Sequence, residues 1–147
     1  MDSSTATINL LPFPVKMKHF IDAVTAEVIK DTEFRPFDIP FISVIGRYDG
    51  ISQKNISAIL DYDKSYTTRI INHLIEIKAV ENRATGKTHS LHLTEKGMDA
   101  LNLSLKVAGI IEETIFGDFD DSERAQFINY INRIGGHIND WMDKSNR

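Results

Sequence analysis

Between Ser52 and Thr94 polar breaks cut the chain into pieces that fit only a small compact motif. Ser52 is suited to cap a helix, and Ile56, Ile59 and Leu60 follow as the buried positions of a short one. Asp61-Tyr62 interrupts it. Asp63 then caps a second helix running to about Lys78, with Thr67, Ile70, Ile71 and Leu74 as its core face and Ile75 at the edge. Val80–Arg83 and Ser90–Thr94 read as short strands, and Leu91 and Leu93 share one face of the second. Thr85-Gly86-Lys87 between them is the turn of a β-hairpin. Two short helices joined by a turn are a common pattern, but a hairpin directly after them makes a helix-turn-helix with a β-wing.

The flanks are helical. Residues 1–11 read as a loose arm, and Pro12 and Pro14 suit a helix start, where a missing N–H costs nothing. From Val15, the positions Met17, Phe20, Ile21, Val24, Val28 and Ile29 recur at helical spacing, and the helix should end near Glu33, before Arg35-Pro36. Asp38 resembles an N-cap, with Pro40 in the first turn and Phe41, Ile42, Val44 and Ile45 after it; Asp49-Gly50 is a turn. Beyond the hairpin, Thr94 caps a long helix through Met98, Leu101, Leu105, Ile110, Ile111 and Phe116, closed by Gly117-Asp118. Asp120-x-x-Glu123 is a capping box for a last helix carrying Phe127, Ile128, Ile131, Ile134, Ile138 and Trp141. The expected class is mainly α with a small β-hairpin wing, and 147 residues suit one domain.

Charge is distributed unevenly. The chain carries a net −4, yet residues 50–97 hold seven Lys/Arg against five Asp/Glu, between flanks that are both net acidic. That segment also contains His73, His89 and His92. Distribution matters more than the sum for a nucleic-acid partner, although an excess of two is small. The absence of cysteine excludes a disulfide framework, a thiolate zinc site and a thiol switch. No leader-like segment and no apolar run of about 18 residues is visible, so no membrane association and a cytoplasmic location are expected.

The helix opening at Asp63 offers Lys64, Ser65, Tyr66, Thr68 and Arg69 to solvent at its start. Short hydroxyls permit close approach to a duplex, and Arg is shaped for paired contacts to guanine or phosphate. Ser and Thr also act as ordinary caps, so the hairpin that follows strengthens the DNA reading. The run from Ile51 to Ile71 resembles the helix-turn-helix of the MarR (multiple antibiotic resistance regulator) family, whose pattern is close to T-Q-x-x-L-A-x-x-L-x-x-x-x-S-x-x-T-R. Leu93-Thr94-Glu95-Lys96-Gly97 matches that family's L-T-x-x-G after the wing, and the flanking helices fall where the family has them.

The resemblance implies a winged helix-turn-helix lobe over 37–96, with dimerisation helices at 12–34 and 97–144 within the single domain 1–147. It implies a sequence-specific regulator, a repressor, acting as a homodimer on a pseudo-palindromic operator in double-stranded DNA. Ser65, Tyr66, Thr68 and Arg69 would lie in the major groove or on its edge, with Lys64 and His73 on the same helix. Ser52, Gln53 and Lys54 would approach phosphates at a helix N-terminus. The wing departs from the family: its loop is shorter, and the Asp-x-Arg that reaches the minor groove is missing. Arg83 and Lys87 are therefore expected to touch phosphate. The family's Gly after the recognition helix is replaced by Lys78.

Relief by a small aromatic effector is a further implication, with Phe20, Arg47 and Tyr48 as candidate ligand-binding residues. Gly135-Gly136 in the last helix marks either a close helix approach or a tolerated defect. His19-x-x-Asp22 and His137-x-x-Asp140 have ligand-like spacing but are ordinary on polar helix faces, so neither metal nor cofactor is expected. No phosphate loop, metalloprotease helix or nucleophile elbow is present, and a non-enzymatic protein is expected. The competing reading is a winged-helix protein-interaction module that has lost DNA binding, which the acidic total and altered wing favour.

Overall fold

The computed structural model describes residues 10–146, so all but the end of the expected N-terminal arm lies outside the described residues. In order the elements are α1 (Phe13–Ile29), α2 (Asp38–Arg47), α3 (Gln53–Leu60), α4 (Lys64–Glu76), β1 (Val80–Asn82), β2 (Leu91–Leu93), α5 (Glu95–Phe116) and α6 (Asp121–Ser145). They fall into two compact units, one reaching Ile111 and the other starting at Glu112, part-way along α5.

The first unit closes around Phe41, Ile42 and Ile45 of α2, Ile56 of α3, Ile71 and Leu74 of α4, Val80 of β1 and Leu91 of β2, all fully buried. Each such side chain contributes roughly 1.5–3 kcal/mol by leaving water. The hairpin pairs Val80 with Leu93, Glu81 with His92 and Asn82 with Leu91, antiparallel. Leu91 also bridges to Ile51, through its N–H to the Ile51 carbonyl (3.0 Å) and its own carbonyl to the Gly50 N–H (2.9 Å). The wing is thereby stitched to the entry of α3. A second stitch is His92, whose Nδ1 lies 2.6 Å from Asp49 Oδ1 while its Nε2 lies 2.9 Å from Ser90 Oγ.

The L-T-x-x-G segment has a steric reason. Thr94 Oγ1 accepts from the Gly97 N–H (3.2 Å) and donates to the Lys78 carbonyl (2.6 Å), joining the start of α5 to the end of α4. A Cβ on Gly97 would stand 2.1 Å from the Ala79 carbonyl oxygen, so only glycine fits. Lys96 reinforces the joint by donating to the Ile77 carbonyl and pairing with Glu33.

Several local expectations need correction. Helix α1 ends at Ile29 rather than near Glu33, because the Thr32 hydroxyl and N–H both donate to the Ile29 carbonyl and turn the chain. Asp38 does not cap α2; Phe37 holds that position, and the Asp38 carboxylate reaches back to the Arg35 N–H. Ile59 is half exposed, since the inward stripe of α3 runs through Gln53, Ile56 and Leu60. Met98 and Leu105 of α5 are likewise exposed, and Ala100, Ser104 and Val107 face inward instead. The expected turn at Thr85–Lys87 is the tip of a longer loop over residues 83–90, where Gly86 takes φ +110°. The strands lose a residue at their outer ends accordingly.

In the second unit, Phe116, Phe119 and Phe127 meet edge-to-face, with Arg124 over Phe116 and paired to Glu112. Helix α6 begins with the full capping box: Asp120 accepts from the Glu123 N–H, and Glu123 accepts from the Asp120 N–H. None of its residues is buried within the chain. Ile128, Ile131, Ile134, Ile138 and Trp141 form an exposed ladder at three- and four-residue spacing.

Candidate nucleic-acid interface

The helix-turn-helix is set by caps on both sides of a tight turn. Ser52 Oγ accepts from the Asn55 N–H to start α3, and Asp61 closes it in the left-handed region at φ 56°. Asp63 then accepts from the Tyr66 N–H (2.7 Å) to start α4. Two side-chain bonds fix the helices to each other: Ser57 Oγ donates to Thr67 Oγ1 (2.9 Å), and Gln53 Nε2 donates to Thr68 Oγ1.

Helix α4 buries Thr67, Ile70, Ile71 and Leu74, which leaves the opposite side to solvent. Lys64, Ser65, Thr68, Arg69, Asn72, His73 and Glu76 line one open groove along that side. Five of these seven are site residues expected from the sequence. Asn72 and Glu76 are additions that fit the helical repeat: Asn72 stands four residues from Thr68 and three from Arg69, and Glu76 eight and seven.

Tyr66 lies off the groove. Its ring packs 4.6 Å from Tyr62 and 6.3 Å from the buried Phe41, and Arg69 lies across it with Cζ 5.1 Å from the ring centroid. It supports the guanidinium rather than facing outward. Gln53 is buried and engaged with Thr68, whose hydroxyl also donates to the Lys64 carbonyl (2.8 Å). Ser52 is spent on its cap. Arg83 is paired with Glu81 at 2.6 Å.

His73 bridges the groove and the core. Its Nε2 lies 3.5 Å from Oδ2 of Asp38, a fully buried carboxylate. Neither His73 Nε2 nor Asp38 Oδ1 has a hydrogen-bond partner, so the approach of Nε2 to Oδ2 is a polar contact between α4 and α2 beneath the groove.

Beside the groove lies a second hollow, lined by Gln53, Lys54, Ser57, Lys64, Lys87 and His89. It brings the expected residues Lys54, Lys64 and Lys87 together from three elements, and Lys64 borders both hollows. Ser57 and His89 were not among the expected site residues. The sequence places His89 in the wing but holds no sign that the loop folds back over α3.

The three effector candidates do not share one cleft within the chain. Arg47 lines a hollow with Ser43, Gly46, Leu101 and Leu105, while Tyr48 lines another with Asn55 and Ile59. Phe20, half buried on α1, borders neither. Asp22 is held by Lys18 at 2.5 Å, an exposed pair that raises the lysine above its ordinary pKa, so Asp22 is engaged with Lys18. Among the described residues no cluster of three metal-binding side chains occurs, and no helix is long and apolar enough to cross a membrane.

No protein-family model and no curated protein sequence matches the chain. Solved structures do. A MarR transcriptional regulator from Methanosarcina mazei Go1 is 23% identical, with a TM-score of 0.77 over 93% of this chain and 91% of its own. A MarR protein from Peptoclostridium difficile reaches a TM-score of 0.83 at 20% identity, over 92% and 91%. A MarR mutant from E. coli, complexed with operator DNA, gives 0.74 at 14% identity, over 91% and 99%. The chain has the MarR winged-helix fold.

Within that fold, the Lys78 departure is conformational in name only. Lys78 takes φ +62°, the region glycine favours. The Lys78 N–H donates to the Ile75 carbonyl and the Ala79 N–H to the Leu74 carbonyl, both near 3 Å, a complete Schellman closure of α4. Helix α4 is thus closed on a left-handed lysine, at a strain of roughly 1–2 kcal/mol.

Proposed function

We propose that this chain is a MarR-family DNA-binding transcription regulator that inserts α4 into the major groove and works as a homodimer. The observation that carries the reading is the division of α4. One side is locked into the core through Thr67, Ile70, Ile71 and Leu74, and the other presents Lys64, Ser65, Arg69, Asn72 and His73 along a single open groove. A helix held rigidly by one face and lined with bidentate and hydroxyl donors on the other suits base-edge contact. Lys64 and Lys54 supply the phosphate contacts that fix register.

The dimer is supported by α6. Its ladder of Ile128, Ile131, Ile134, Ile138 and Trp141 leaves a long apolar face without cover in the single chain, which is uncommon unless a partner buries it. A two-fold dimer doubles the recognition helices and sets two half-sites about one turn apart.

The test is capture of genomic fragments by the purified protein, followed by mobility shift on the recovered duplexes. Binding should fall steeply with salt, and Arg69→Ala should cost about 1–3 kcal/mol at one base position. If neither recovered nor random duplex binds at low salt, the regulator reading is wrong and a protein-interaction module takes its place.

A further inference from the structure

The hollow beside α4 is walled from three directions. Gln53, Lys54 and Ser57 come from the start of α3, Lys64 from the first residue of α4, and Lys87 and His89 from the wing loop. It has a volume of about 490 Å³. Three ammonium groups share it, and among the described residues none of the three is ion-paired. Lys18, Lys30, Lys96 and Arg83 each have a carboxylate partner.

Two of these lysines sit where a helix least tolerates them. Lys54 is the second residue of α3 and Lys64 the first of α4, and neither helix has an acidic residue in its first turn. The N-terminal end of a helix carries positive partial charge, so an unpaired lysine there is repelled. An anion in the hollow is attracted by the lysines and by the helix ends alike, which offsets their mutual repulsion.

The walls are rigid. Gln53 is tied to Thr68 and Ser57 to Thr67, which fixes α3 against α4. The wing is tied at its neck: Asn82 Oδ1 accepts from the Ala84 and Ser90 N–H groups, and Arg83 N–H donates to the Ser90 carbonyl. The loop above that neck folds back so that Lys87 and His89 face α3.

We propose that this hollow seats one backbone phosphate of duplex DNA in each half-site, and that the wing serves as the third side of the seat rather than as a reader of the minor groove. The proposal rests on the DNA-binding reading above and deepens it. Because Lys64 borders both the seat and the α4 groove, a phosphate held here would set the depth and register of α4.

The experiment uses a duplex recovered by the genomic selection, with a neutral methylphosphonate placed at each backbone position in turn. One position per half-site should weaken wild-type binding. On that duplex Lys54→Gln, Lys64→Gln and Lys87→Gln should bind no worse than wild type. On the unmodified duplex each variant, present in both half-sites of the dimer, should lower the salt slope by up to about 2 and lose the same factor on recovered and scrambled sequence. Coupling of the lysines to different positions would overturn the seat. A Lys87→Gln loss that follows A·T against G·C content beside the site would overturn it in favour of minor-groove reading. A second arm adds inorganic phosphate at constant ionic strength. If it shifts the Lys54 and Lys87 resonances while no methylphosphonate position couples, the hollow is a free-anion site and the backbone assignment fails. A wild-type protein that binds no duplex fails earlier, before any variant is made, and overturns the DNA reading together with the seat.

Discussion

Helices α4 and α6 both start on an aspartate that accepts the backbone N–H three residues on, yet they are built to opposite rules. Helix α6 has the full capping box, Asp121 and Glu123 in its first turn and Lys144 in its last, all favourable to its dipole. Helix α4 has Lys64 in the first turn, no acid there, and closes on a left-handed lysine. The difference follows from what each helix buries. Four residues of α4 are locked in the core, whereas α6 buries none within its own chain. An isolated helix is marginal in water, so α6 in the single chain depends on local terms. Packing carries α4, and its termini are released from the duty of stabilising it.

That contrast can be broken. The largest effect should come from Lys54→Glu with Lys64→Glu, which reverses two charges at the seat. Duplex affinity should fall by at least tenfold at moderate salt and the salt slope by at least about 2, while the thermal midpoint holds or rises. A fall in both would mean that these lysines stabilise the fold, and the contrast would be lost.

Cap deletion sharpens the comparison. Asp63→Ala and Asp120→Ala should each cost about 1 kcal/mol, read by denaturant unfolding. Hydrogen exchange should spread along α6 after Asp120→Ala but stay within the first turn of α4 after Asp63→Ala. Equal spreading in both would show that core packing does not carry α4 as argued.

Smaller gains are expected at the two places where α4 is not optimised. Lys78→Gly should raise stability by about 0.5–1 kcal/mol by removing left-handed strain, less the backbone entropy glycine brings. Lys64→Glu alone should add about 0.3–1 kcal/mol through the helix dipole. A loss in either case, measured by thermal unfolding, would mean the native terminus is already at its optimum.

Much of this was legible because it is local. The caps at Ser52, Asp63 and Thr94 and the capping box at Asp120 depend on residues within one turn, and the structure forms each of them. The inward face of α4 follows from spacing alone. Tyr66 stands four residues before the buried Ile70, a spacing that puts both on one side and lets its ring pack. Gln53 was harder, since its engagement with Thr68 spans fifteen residues of sequence and exists only once α3 meets α4. The convergence of Lys87 on Lys54 depends on the path of the wing loop, which no periodicity encodes.

The neck of the wing has one more consequence. Asn82 and the Arg83–Ser90 bond zip the strands shut below the loop, so residues 85–88 carry no part of the strand pairing. The tip is a cartridge in a fixed socket. A longer loop, or a foreign one, can be plugged in there without unzipping the hairpin, which makes the reach of the wing and the stability of the lobe separately adjustable.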